Sequence, residues 1–330
     1  MQVSFDDRLL DAASKYDIHF LDIGARNGVA DDIVAIGGAV HATCFEPEPT
    51  EAKRLQSLSD NRWRSFTVVP TAVGGIDGLA KLYIPKGKEA ASLLRHNEGM
   101  ISEFGYDNLH GSDSVVEIPC STLDSLVANG RLPKASYIKI DIEGAELDLL
   151  KGGLLILPST VAMRIEVSFL EQRVSQPLMW DVVDWVREHG FEVIDILDIH
   201  RWRRRNLAAD PYRVNFRMPY SKGRVSQCDI VVARRDDTFS GSDQKVEVIL
   251  ILAALGYFDL CIGIIRNDPL IGELWRQRHG FSLEDALVNE SRKAGATVSW
   301  SHLRKSLRLL IPALRSAFNS LPFSEPRIPY

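Results

Sequence analysis

Residues 137–153 read YIKIDIEGAELDLLKGG, and the change of period along this stretch decides the fold. From Tyr137 to Ile142 apolar and charged residues alternate. Lys139 and Asp141 therefore share one face of a strand, and Ile140 and Ile142 the other. Gly144 ends the alternation and opens a helix expected over Ala145–Leu157, with leucines at 147, 149, 150, 154 and 155. A strand that runs through a glycine into a helix is the repeating unit of an α/β fold. Asp141 and Glu143 then sit at the carboxyl end of the strand, where open α/β sheets bind ligands. An aspartate in an apolar strand is costly unless it is used, so Asp141 is a candidate functional group. Glu146 is expected only to complement the helix N-terminus.

Downstream, Val161–Val167 reads as the next strand, and Arg164-Ile165-Glu166-Val167 places Glu166 at its end, beside Asp141. Two carboxylates there would anchor substrate hydroxyls, act as a base, or hold a divalent metal. The plainer alternative is an ion pair with Arg164 or Lys139. Asp141, Glu166, Glu143 and Lys139 form the candidate catalytic set. Leu178–His189 carries Val182, Val183, Trp185 and Val186 on one side and stops at Gly190, as a helix should. Phe191–Leu197 and Cys228–Ala233 read as the last two strands. Strands alternating with helices imply a mainly parallel sheet covered on both faces.

Upstream, the strands are Ile18–Ile23, Val40–Phe45 and Phe66–Val69. The first runs into Gly24-Ala25-Arg26-Asn27-Gly28. Glycine permits a tight turn and close approach of a ligand to the backbone. Glu46-Pro47 ends the next strand, 22 positions after Gly24, where a carboxylate can bind both hydroxyls of a ribose. Arg26 stands where G-x-G-x-x-G needs its second glycine, so no wide approach for a pyrophosphate is provided. This disfavours NAD and a dehydrogenase. It favours a nucleoside without phosphates, such as S-adenosylmethionine (SAM).

The charge is uneven. The chain of 330 residues carries a net −5. Residues 1–198 hold 18 basic and 31 acidic groups, whereas residues 199–227 hold 8 basic and 1 acidic. The acidic remainder argues against a nucleic-acid partner. The four cysteines, Cys44, Cys120, Cys228 and Cys261, form no metal or redox spacing and read as small buried hydrophobes. With an acidic N-terminal stretch unlike a signal peptide, they point to the cytoplasm. Val248–Phe258 is too short to span a bilayer and reads as a buried helix.

Taken together, LDIGARNG (21–28), CFEPEP (44–49), TAVGG (71–75), ASLL (91–94), STLDSL (121–126), YIKIDIEGAELDLLKGG and RIEV (164–167) resemble the FkbM family of SAM-dependent methyltransferases, over roughly residues 17–235. The resemblance implies a class I methyltransferase sheet, order 3-2-1-4-5-7-6 with the last strand antiparallel. It implies SAM as donor and O-methylation of sugars or natural-product hydroxyls, as in polysaccharide biosynthesis. By position, Asp22, Gly24 and Gly28, with Ala25 and Asn27, would hold the methionine end. Glu46 and Pro47 would meet the ribose, Thr71 and Ala72 would flank the adenine, and Ser92 would close over the donor. Asp141 would face the methionine amine or the acceptor. Arg26 and Thr71 depart from the family pattern, which often has a small residue and Asn at these positions.

Residues 199–227 form a basic insert between the last two strands, on the side of the ligand crevice. Its Arg201, Trp202 and Arg203, with His200 and His96, are candidate acceptor-binding residues. Arginine suits carboxylate or phosphate, so the expected acceptor is an anionic sugar or glycan. Residues 236–243 read as a linker and 244–330 as a helical extension. Segment 300–319 is expected to pack on the core or a second subunit, with contact to anionic lipid as the alternative. A SAM- or nucleoside-binding scaffold without chemistry is the competing reading of the whole chain.

Overall fold

The computed structural model of the chain describes residues 3–26, 28–58, 60–107, 112–204 and 221–300. Its frame is a seven-stranded sheet made of β1 (Ile18–Ile23), β2 (Val40–Phe45), β3 (Ser65–Val69), β7 (Tyr137–Ile140), β8 (Ala162–Ser168), β9 (Phe191–Trp202) and β10 (Arg224–Arg234). The order is β3-β2-β1-β7-β8-β10-β9. Pairing is parallel from β3 to β8, and β10 runs antiparallel to both β8 and β9. Numbered among themselves, the seven strands stand 3-2-1-4-5-7-6, as the resemblance implies. β1 and β7 lie side by side with Ile23 opposite Ile140, and the Asp141 amide donates to the Ile23 carbonyl at 3.0 Å. The strand order reverses at this pair, which makes its carboxyl end the place for a ligand.

Both sheet faces are covered. Leu21, Ile23, Ile138, Ile140, Met163 and Ile165 pack under α4 (Leu123–Ala128), α5 (Glu146–Lys151) and α6 (Met179–Glu188). Phe20, Tyr137, Ala162 and Ala233 pack under α1 (Asp7–Ala13), α7 (Ser242–Leu255) and α8 (Phe258–Asn267). From Val248 to Leu255 α7 is apolar all round, and Val248–Ala254 are buried, as the sequence predicts. Helix α9 (Pro269–His279) and a helix over 283–300 continue the same layer. The described part of the extension thus shares one core with the sheet. The expected linker is correspondingly short: a single 3₁₀ turn over Asp236–Thr238 precedes α7.

The helix after Gly144 is shorter than its leucines predict. It ends at Lys151, and Leu154 and Leu155 are exposed. Gly152 caps it, and with Gly153 lets the chain pass close to its neighbours, because a Cβ there would stand 3.1 Å from the Gly74 carbonyl and 2.9 Å from the Leu123 side chain. A second sheet is absent from the sequence-based reading. β4 (Ala72–Val73), β5 (Gly78–Pro85) and β6 (Ser112–Ser121) form it in the order β4-β6-β5. The four cysteines are free and buried. Among the described residues no helix is long and apolar enough to cross a membrane. Asn27, the middle of the basic insert (205–220) and residues 301–330 lie outside the described residues.

Candidate active site

The loop after β1 is held by its glycine. Gly24 has φ +90°, and a Cβ on it would fall 1.9 Å from the Asp141 carbonyl oxygen. The Gly24 and Ala25 amides both donate to the Phe45 carbonyl at 3.2 Å. The ends of β1, β2 and β7 are thereby drawn together. Asp22, only 1% exposed, supports this loop from beneath: its Oδ2 accepts from the Ala30 amide at 2.7 Å. Its Oδ1 is buried with no hydrogen-bond partner among the described residues, and Lys139 Nζ lies 3.8 Å from it. Burial pushes the Asp22 carboxyl up to about 6, against the pull of Lys139.

A cavity of about 220 Å³ opens above these strand ends. Gly24, Glu46, Pro47, Thr71, Ala72, Ser92 and Asp141, expected around the donor, all line it. Asp22, Ala25 and Gly28 belong to its supporting loop and not to its wall. Glu46 is buried, and its Oε1 accepts from the Glu48 amide at 2.8 Å; burial raises its pKa. Leu82 and Ile84 of β5 and Ser114 of β6 complete the wall. Sequence reasoning missed these roof residues, although LAKLYIP (79–85) alternates as a strand should. Arg26 reaches across the mouth, donating to the Lys88 carbonyl at 3.0 Å. Ser92 is buried and its Oγ donates to the Glu143 carbonyl at 2.7 Å. It ties the ASLL segment to the loop after β7.

That loop carries the acidic group. Asp141, Glu143 and Glu166 each bring an oxygen within 4.8 Å of the others. Lys139 Nζ donates to Asp141 Oδ2 at 3.0 Å, and Arg173 is ion-paired with Glu143 Oε2. Gln227 Nε2 donates to Glu166 Oε1 at 2.5 Å. Glu143 stands in the left-handed region at φ +62°, a cost that persists only when the surroundings dictate it. Ser92 and Arg173 supply that constraint. Glu146 is buried, and its Oε1 accepts from the Ile142 and Gly144 amides at 3.2 and 2.9 Å. It holds the loop before the helix, beyond the helix-terminus role expected of it, and burial pushes it up to about 7. Burial raises the pKa of Glu143, and burial with the charges of Glu143 and Asp141 raises that of Glu166. The set suits a divalent ion poorly, because two of its three carboxylates already face cations and a hard ion needs several free oxygens.

The expected acceptor residues separate. His96 is 1% exposed in a strap where residues 95–97 bridge to 172–174. Burial and Arg173 push it down to about 4, which leaves a neutral ring inside the protein rather than an acceptor ligand. Trp202 is 2% exposed and stacks on Tyr106 at 4.1 Å, in a cluster with Phe104 and Leu170. It anchors the base of the basic insert and offers no face to a sugar. Arg203 Nε donates to the Ser221 carbonyl at 2.6 Å. His200 and Arg201 are exposed, with His200 opposite Gln227 across the strands. Arg173, Gln172, Gln176 and Gln227 were not foreseen from sequence. EQRVSQ (171–176) has no period and no glycine to mark it.

A sheet in the order 3-2-1-4-5-7-6 with one antiparallel strand, and a cavity at its β1–β7 reversal, defines a class I methyltransferase fold. The chain belongs to the FkbM methyltransferase family, whose domain matches residues 22–193, just over half of it. It is similar to the hexuronic acid methyltransferase AglP of Haloferax volcanii, 27% identical over 159 residues. That match covers 48% of this chain and 59% of AglP, so the chain spans about three fifths of that relative's length. Among solved structures it is similar to a TehB-like SAM-dependent methyltransferase from Corynebacterium glutamicum, at 11% identity and a TM-score of 0.30, over 69% of this chain and 86% of that one. The 23S rRNA methyltransferase ErmE gives 13% identity and a TM-score of 0.30, over 77% and 79%. The fold assignment rests on strand order and direction, not on these two likenesses.

Proposed function

We propose that the protein transfers a methyl group from SAM to a hydroxyl of an anionic sugar or glycan. The observation that carries this reading is the adjacency of the cavity at the β1–β7 reversal to the carboxylate set of Asp141, Glu143 and Glu166. The residues suit the donor. Gly24 leaves the loop backbone bare where a side chain would collide, and Glu46 stands where a ribose needs a carboxylate. Asp22 braces the loop from beneath through the Ala30 amide, so that the loop backbone is held for the donor. When bound, SAM supplies an electrophilic methyl on a sulfonium, so no covalent nucleophile is needed. The chain must therefore align the acceptor hydroxyl and receive its proton. Leu82 and Ile84 exclude water from the donor side. Likeness to a hexuronic acid methyltransferase and the basic insert both favour an acceptor bearing a carboxylate. Calorimetry with SAM and with NAD, followed by transfer of a labelled methyl to hexuronic acid glycosides, tests the reading. SAM binding without transfer to any hydroxyl acceptor would favour the scaffold alternative, and binding of NAD in place of SAM would favour a dehydrogenase.

A further inference from the structure

The three carboxylates are not equivalent. Asp141 is paired with Lys139, and Glu143 with the buried guanidinium of Arg173. Among the described residues no Lys, Arg or His pairs with Glu166, whose side-chain hydrogen bond comes from the neutral amide of Gln227. That amide is itself held. Arg173 Nη1 donates to Gln172 Oε1 at 3.4 Å, Gln172 Nε2 donates to Gln227 Oε1 at 2.8 Å, and Gln227 Nε2 donates to Glu166 Oε1 at 2.5 Å. Arginine can only donate, so the sense of the relay is set at its origin. Turning either amide over would set N–H against N–H. A chain of hydrogen bonds that starts on a cation and runs one way polarises each successive member.

On the methyl-transfer reading above, we infer that Glu166 takes up the acceptor proton and that Gln172 and Gln227 are its positioning residues. The relay occupies Oε1 with a donated hydrogen bond and leaves Oε2 to receive the proton. In the step, the acceptor oxygen bonds to the methyl carbon, and the carbon–sulfur bond breaks with its electron pair going to sulfur. The hydroxyl proton passes to Glu166 Oε2. The surroundings agree. Glu143, Asp141 and Glu146 face Glu166 from the β7 loop and Arg173 from the β8 loop, with Cys228 and Asp229 on β10. Asp229 is itself neutralised by Arg164. Burial and like charges together hold the Glu166 carboxyl well above its usual range.

The test reads the carboxyl directly and needs no acceptor for its first arm. ¹³C NMR of carboxyl-labelled protein follows the Glu166 midpoint in wild type, Gln227→Ala, Gln227→Glu and Gln172→Ala. Losing the donor at Oε1, or placing a second carboxylate beside it, raises the midpoint by about one unit, tenfold in the ionisation constant. The isosteric Gln227→Glu keeps the test open if the alanine variant is misfolded. An unchanged midpoint in the folded variants overturns the relay. In the second arm, with EDTA present and a hexuronic acid glycoside as acceptor, Glu166→Gln lowers kcat by about 10²-fold or more, while the Kd for SAM stays within about twofold. Gln227→Ala lowers kcat about tenfold, leaves the KM for SAM unchanged, and moves the acid limb of the pH profile upward. A fully active Glu166→Gln sinks the base assignment while leaving methyl transfer intact. Activity of the wild type regained only with Mg²⁺ would replace the proton relay by a metal, whereas absence of transfer to any hydroxyl acceptor both with EDTA and with Mg²⁺ sinks the methyl-transfer reading itself.

Discussion

At the scale of single residues, Asp22 stores a conflict between stability and binding. Its pKa rises from 3.8 to about 6 on folding because burial disfavours the charge. Between those values the folded state holds a proton that the unfolded state has released, so stability falls as pH rises from about 4 to about 6. Above that window the cost is constant, at roughly 2–3 kcal/mol from about 1.4 kcal/mol per unit. Asp22→Asn should therefore unfold at higher urea concentration than wild type at pH 7.5, with the difference fading by pH 4, and it should bind SAM more weakly. Equal urea midpoints at pH 7.5 would remove the conflict. Glu46→Ala should weaken SAM binding about 10- to 100-fold by calorimetry, the worth of a hydrogen bond to a charged group, and leave kcat at saturating donor nearly unchanged. Asp22, Gly24, Glu46 and Asp141 were legible because each sits at the end of a strand with a clear period. Arg173 and Gln227 were not. Their meaning comes from Glu143 and Glu166, 30 and 61 positions away, and no local pattern encodes such a pairing.

Elements were legible where burial imposes a period. The seven main strands follow from apolar runs, and α6 from its valines and Gly190. The β5–β6 pair escaped because one face of it is exposed: Leu79, Lys81, Val115 and Glu117 point outward, which blurs the contrast between core and surface. β9 and β10 extend past the apolar part that marks them, to Trp202 and Arg224. The end of that ribbon depends on the Trp202–Tyr106 stack and on Phe104 of helix α3 (Glu98–Phe104). Trp202→Ala should cost about 3–5 kcal/mol of local stability, as buried tryptophans do. The loss should appear in hydrogen exchange as faster labelling of residues 99–106 and 199–203, with the Kd for SAM unchanged. If those amides keep their protection, Trp202 is not the anchor, and its place in the acceptor site reopens.

For the whole molecule, one core and one charge pattern decide what the net −5 means. The helices after residue 241 close the sheet face that α1 leaves open, so the chain reads as a methyltransferase fold completed from its own C-terminal side. This was hidden in the sequence because α7, apolar on every side from Val248 to Leu255, carries no stripe to say what it packs against. The acidic surplus lies in residues 1–198, and the basic insert leaves β9 at the carboxyl side of the sheet. Of its described members, Arg203 and Arg204 are engaged by the Ser221 carbonyl and Glu103, whereas Arg201, Lys222 and Arg224 are exposed. Exposed charges each contribute at most about 1 kcal/mol and are screened by salt. Replacing these three by alanine should therefore raise the KM for a hexuronic acid glycoside roughly tenfold at low ionic strength. The effect should shrink severalfold at about 0.5 M salt, and the uncharged sugar glycoside should show no change at either salt concentration. An equal rise for charged and uncharged acceptors would mean that the insert shapes the site without reading charge, and the acceptor need not be an acid.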